Sequence, residues 1–91
     1  MQALTDTEVE ILEKTIETDV KKLVIYNDDV NTFDYVIDTL IEVCRHTSEQ
    51  AEQCTIIIHY KGKCAVKEGD FDELLTMRNE ICRRGISAEI H

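Results

Sequence analysis

The stretch VKKLVIYNDDVNTFDYVIDTLIEVCR, residues 20–45, contains one complete change of secondary structure. Its first part is rich in β-branched and aromatic residues, which reads as a strand over Val20–Tyr26. Asn27, Asp28 and Asp29 interrupt it, because Asn and Asp side chains fold back onto their own backbone in turns. From Phe33 the apolar period changes: Phe33, Val36, Ile37, Leu40, Val43 and Cys44 recur at helical spacing. Asn31 is expected to cap that helix, with Asp34 at its third position.

Outward from this stretch, the later signals fall into the same grammar. Thr47 and Gln50 make a capping box that opens a helix, and Gly62 is a natural stop for it. Ala51, Cys54, Thr55 and Ile58 share one face of that helix. The run Ile56-Ile57-Ile58 also fits a strand, and the agreement of both end signals favours the helix. Lys63–Lys67 suits a short strand, with Cys64 and Val66 alternating against Ala65. Asp70 caps a third helix with Glu73 at its third position, and Phe71, Leu74, Ile81 and Cys82 are its expected buried stripe. Arg83 and Arg84 suit its last turn, where cations complement the helix dipole. Gly85 ends it, and Ile86, Ala88 and Ile90 alternate with Ser87 and Glu89 in a closing strand. The order β-α-α-β-α-β predicts an α+β sandwich: a three-stranded antiparallel sheet packed against three helices on one side.

Residues 1–19, MQALTDTEVEILEKTIETD, carry six acids and one base, so 1 − 6 = −5 of the net charge lies here. Val9, Leu12 and Ile16 have helical spacing, yet so short a helix is marginal in water. The expected division is a flexible acidic arm over 1–19 and a core domain over 20–91.

The 91 residues suit a single small domain. Apolar residues make up 43% of the chain, and 19 acids against 10 bases give a net charge of −9. Such a surface repels nucleic-acid phosphates and anionic lipid, so neither is an expected partner. A cationic ligand suits it better. No apolar run reaches the ~18 residues of a membrane span, and no charged-then-apolar leader opens the chain. Cys44, Cys54, Cys64 and Cys82 form no CxxC pair, so zinc-ribbon spacing is absent. They are expected as four small buried thiols in a reducing, cytoplasmic setting. Gly62, Gly69 and Gly85 stand at element ends, which leaves no phosphate-binding loop. His46 lies two residues from Cys44 and His59 five from Cys54, and neither spacing is a metal pair. Five residues along a helix also turn the side chains ~140° apart, so a Cys54–His59 nucleophile pair is not expected. No cofactor, metal or catalytic group is therefore expected.

The candidate site begins at Asn27-Asp28-Asp29. These residues read as a solvated turn, or, if strand geometry persists, as Asn27 and Asp29 on one side able to grip a cation. His59 reads as a surface histidine or, at i+4 from Thr55, as a neighbour of the apolar face. If the first two helices pack side by side, Phe33, Val36, Thr55 and Ile58 could line one hollow. Asn27 and His59 would then stand at its mouth.

Four motifs carry a family resemblance. They are NDD (27–29) after a first strand, TFDYVI (32–37) at a helix start, Ala51 followed after seven residues by HYKGK (59–63), and RRGISAEI (83–90). Over about Leu23–Ile90 the chain resembles ClpS, the N-degron adaptor of the Clp AAA+ proteases. The resemblance implies a binding module of proteolysis rather than an enzyme. Adaptors of this family recognise free N-termini that begin with Leu, Phe, Tyr or Trp (the N-end rule). They deliver those substrates to the N-terminal domain of a ClpA-like or ClpC-like unfoldase, which feeds ClpP. It implies α-amino contacts at Asn27, Asp28 or Asp29, and His59. It implies pocket positions at Asn31, Phe33, Val36, Thr55, Ile58 and Ile86, and a delivery role for the amino-terminal arm. The chain departs from the family at Phe33 and Thr55, where Met is common, at Asn31, where Thr is usual, and at Met77, where Lys is common. The competing class is a protein–protein docking domain of ribosomal-stalk type, in which the NDD cluster is only a turn.

Overall fold

The computed structural model describes residues 20–91, in the order β1 (Lys21–Tyr26), α1 (Phe33–Cys44), α2 (Ser48–Lys61), β2 (Lys63–Gly69), α3 (Phe71–Arg83) and β3 (Ala88–Ile90). The acidic arm expected over residues 1–19 lies outside the described residues. β1 is the central strand and pairs antiparallel with β2 on one side and β3 on the other. The α+β sandwich expected from the element order is the fold observed.

Alternation along β1 orients the sheet. Leu23 and Ile25 are wholly buried while Lys22 is exposed, so one face meets the helices and the other meets water. The core is completed by Leu40 and Cys44 of α1, Ala51 and Ile58 of α2, Val66 of β2, Leu74 and Ile81 of α3, then Ile86 and Ala88. β2 carries one extra residue: Leu23 faces Lys67 and Val24 faces Ala65, leaving Val66 in a bulge. The buried His46 ring stabilises this irregularity, since its Nε2–H donates to the Val66 carbonyl at 2.6 Å.

Several boundaries differ from expectation, each for a local reason. Thr32, not Asn31, caps α1: Thr32 has extended backbone and its hydroxyl accepts from the Tyr35 N–H at 3.1 Å. The Asn31 side chain instead donates its amide N–H groups to Asp28 and to the Gly85 carbonyl. β2 runs on to Gly69, because β1 continues to pair with it through Lys21. The run Ile56–Ile58 is helical, held by the Thr47–Gln50 capping box and by Gly62 at φ 90°. Phe71 is half exposed rather than part of a buried stripe, since it stands on the first turn of α3, ahead of the buried Leu74. All four cysteines are free thiols, and only Cys44 is fully buried. No helix among the described residues is long and apolar enough to cross a membrane.

Candidate functional site

Two short connections bring the candidate residues together. Where β1 ends, the Asn27 backbone N–H donates to the Gly62 carbonyl at 2.8 Å. Gly62 closes α2, and His59 lies in that helix's last turn. The latch therefore sets the end of β1 beside the end of α2, which sequence separation alone does not require.

After Asn27 the chain folds on Asp28. Its Oδ1 accepts from the Val30 and Asn31 N–H groups at 2.9 and 2.8 Å, and its Oδ2 accepts from Asn31 Nδ2 at 2.7 Å. This is the side-chain turn that Asp favours. The Asn31 backbone N–H does most to hold the Asp28 carboxyl below its ordinary value, against some desolvation, and the Asn31 amide and Val30 N–H add to it. Asn31 Nδ2 also donates to the Gly85 carbonyl at 2.9 Å, so the loop is fastened to the turn after α3. Tyr35 adds a second fastening, its hydroxyl donating to the Arg84 carbonyl at 2.8 Å.

A hollow of about 350 Å³ opens between this loop, α1 and α2. Its apolar part is Val36, Thr55 and Ile58, all less than 9% exposed, with Phe33 at its side. Thr55 adds little polarity there, because its hydroxyl donates to the Ala51 carbonyl of its own helix at 2.7 Å. The polar part is Asn27, Asp28, Asp29, Asn31, Thr32 and His59. Of these, Asn27, Asp29, Thr32 and His59 are exposed, while Asp28 and Asn31 are partly buried. The His59 ring meets Phe33 and Tyr60 edge-on, at centroid distances of 6.2 and 5.3 Å. Apolar floor and acceptor-rich lip thus share one concavity, the usual composition of a selective small-ligand site.

Nine of the ten residues singled out in the sequence line this hollow. Ile86 does not: it is 2% exposed and belongs to the central core cluster. Thr32 lines the hollow as well, and a Thr directly before the first apolar residue of a helix is itself a capping signal. No group of three or more His, Cys, Asp or Glu side chains among the described residues is arranged to hold a metal. Burial pushes the Cys44 thiol up to about 11. Cys64, on β2 against Cys54, is likewise raised to about 11, first by burial. Both are protonated at neutral pH and poor nucleophiles, and neither lines the hollow.

Comparisons with known proteins give the chain a family and a fold relative. The family model described as "ATP-dependent Clp protease adaptor protein ClpS" matches residues 16–89. The ClpS adapter protein of Nitratidesulfovibrio vulgaris is 33% identical over 70 residues, covering 75% of this chain and 70% of that protein. The ClpS adapter protein of Campylobacter jejuni is 37% identical over 49 residues, 54% of this chain and 51% of its own. Among solved structures, Agrobacterium tumefaciens ClpS2 bound to L-phenylalaninamide superposes with a TM-score of 0.77. It is 19% identical, covering 80% of this chain and 95% of that one. That likeness establishes a common fold.

Proposed function

The chain belongs to the ClpS family of ATP-dependent Clp protease adaptors, and on that premise we propose that its hollow receives the first residue of a protein to be degraded. The side chain of a Leu, Phe, Tyr or Trp fills the apolar part. The free α-ammonium sits at the lip, where the Asn27 carboxamide oxygen, an acidic oxygen of Asp28 or Asp29, and the His59 ring accept hydrogen bonds from it. The observation that carries this reading is the meeting of Val36, Thr55 and Ile58 with Asn27 and His59 in one concavity.

Two energies divide the labour. Burying a Leu or Phe side chain contributes ~1.5–3 kcal/mol, which any apolar segment could supply. Hydrogen bonds to a charged group contribute ~1.5–3 kcal/mol each, and only a chain beginning offers three donors and a positive charge. An internal or acetylated residue leaves the acceptors unmatched, and this rejects it more strongly than the pocket selects its side chain. The ligand of the Agrobacterium relative, L-phenylalaninamide, combines a benzyl side chain with an α-amine and so supports the same division.

In this reading the protein is a binding module, not an enzyme. It passes its cargo to the N-terminal domain of a ClpA-like or ClpC-like unfoldase, and residues 1–19 take part in delivery. The test is a binding titration with a labelled peptide that begins with free Phe or Leu, beside its acetylated twin. The free peptide should bind and the acetylated one should not. Equal binding of both leaves only a docking domain of ribosomal-stalk type. Removal of residues 1–18 should spare peptide binding and abolish degradation by the unfoldase and peptidase.

A further inference from the structure

We propose that Asn31 is a positioning residue of this site: it aims the Asp28 carboxylate by tying it to the turn that follows α3. The inference rests on the reading of the lip as an α-amine receptor.

The argument starts from the chemistry of the atoms around the Asn31 amide. Its two neighbours are Asp28 Oδ2 at 2.7 Å and the Gly85 carbonyl oxygen at 2.9 Å. Both are acceptors, so only an NH₂ group can stand between them, and its two hydrogens are both used. The Asn31 backbone N–H makes a third bond, to Asp28 Oδ1. With the Val30 N–H, three of the ~four acceptor directions of the carboxylate are occupied by the protein. One direction on Oδ2 is left for a ligand. The carboxylate is therefore not a loose charge on a turn. Its rotation is fixed on both oxygens.

The other end of the tether is itself held. Gly85 is in the left-handed region at φ 87° and its N–H donates to the Cys82 carbonyl at 3.0 Å. The preceding Arg84 carbonyl accepts from Tyr35, and its guanidinium bonds Glu42 Oε2 at 2.7 Å and Glu80 Oε1 at 3.3 Å. Asn31 thus transfers the rigidity of the α3 C-terminal turn to the Asp28 oxygens. Positioning of this kind matters because a charge-assisted bond weakens steeply with misalignment.

The experiment titrates the free-Phe peptide and its acetylated twin into the unaltered chain, Asn31→Ala, Asp28→Ala and the double variant, with thermal unfolding as a check of the fold. Asn31→Ala is expected to weaken the free peptide about tenfold, while the acetylated peptide fails to bind it, as it fails to bind the unaltered chain. In the Asp28→Ala background the Asn31 effect should vanish, since the group it positions is gone. Asn31→Ser, which keeps one donor in place of two, should lose less than Asn31→Ala, and it carries the test if the alanine variant does not fold. An Asn31 effect undiminished without Asp28, or a loss in Asn31→Ser as large as in Asn31→Ala, overturns the proposal and leaves a merely structural tether. If the unaltered chain binds both peptides alike, the amine reading itself fails, and this inference with it.

Discussion

Phe33 of α1 meets the imidazole of His59 of α2 edge-on, with ring centroids 6.2 Å apart and planes inclined at 78°. One residue is the apolar side of the hollow and the other belongs to its polar lip, so the two selectivities share a contact. Edge-to-face pairs of this kind contribute ~0.5–1.5 kcal/mol beyond the area they bury. Phe33→Ala should therefore weaken the binding of peptides beginning with Phe by more than the lost apolar contact alone. Phe33→Leu, which keeps the apolar wall without the ring, should retain part of it. Titration of both variants with one labelled peptide checks this, and equal affinities would remove the role of the ring contact.

Asn27→Ala and His59→Ala should each weaken a free-amine peptide about tenfold or more, on the scale of one hydrogen bond to a charged group. Both side chains are exposed, so the thermal midpoint should move little. Fluorescence anisotropy with the unaltered chain alongside measures it. Unchanged affinity would contradict the assigned roles.

Asp28 links the site to pH. Its carboxyl is held below the ordinary value of 3.8, first by the Asn31 backbone N–H. A depressed acid stabilises the fold fully above its ordinary value and loses that contribution as pH falls through the folded-state value. Asp28→Asn should accordingly be less stable than the unaltered chain at neutral pH and equal to it in strong acid. Urea unfolding at both conditions decides the point; a difference that persists in acid would mean the carboxylate charge is not its source.

Leu40 is wholly buried between the sheet and the helices. Leu40→Ala should destabilise the domain by ~2–5 kcal/mol, the range for a leucine truncated in a packed core. The shift in urea midpoint at constant slope reports it.

The Cys44 and Cys64 thiols, raised to about 11 by burial, should react slowly with iodoacetamide at neutral pH and quickly after unfolding. Rapid labelling of Cys44 in the folded chain would contradict its burial.

Much of the fold is legible in the chain itself, because its signals are local. The Thr47–Gln50 box, the Asp70 cap and the glycines at 62 and 85 each act within one turn of backbone, and the structure uses all of them. The cap of α1 is not legible in the same way, for the opposite reason. Asn31 and Thr32 are both competent caps, and the choice falls to a carbonyl 54 positions away, at Gly85, which claims the Asn31 amide. Phe71 fits a helical stripe by spacing, yet spacing gives no account of how far a core extends over a helix's first turn.

By itself the sequence determined the element order, the one-sided apolar pattern of β1 and the residue types needed at a polar lip, since these depend on period, capping and composition. Tertiary structure alone decided that Asn27 stands beside the end of α2, that Ile86 goes into the core rather than the hollow, and that the Asn31 amide is tied to Gly85. The first and last of these rest on hydrogen bonds between distant segments, Asn27 to Gly62 and Asn31 to Gly85, and no local pattern encodes which distant carbonyl a donor will find.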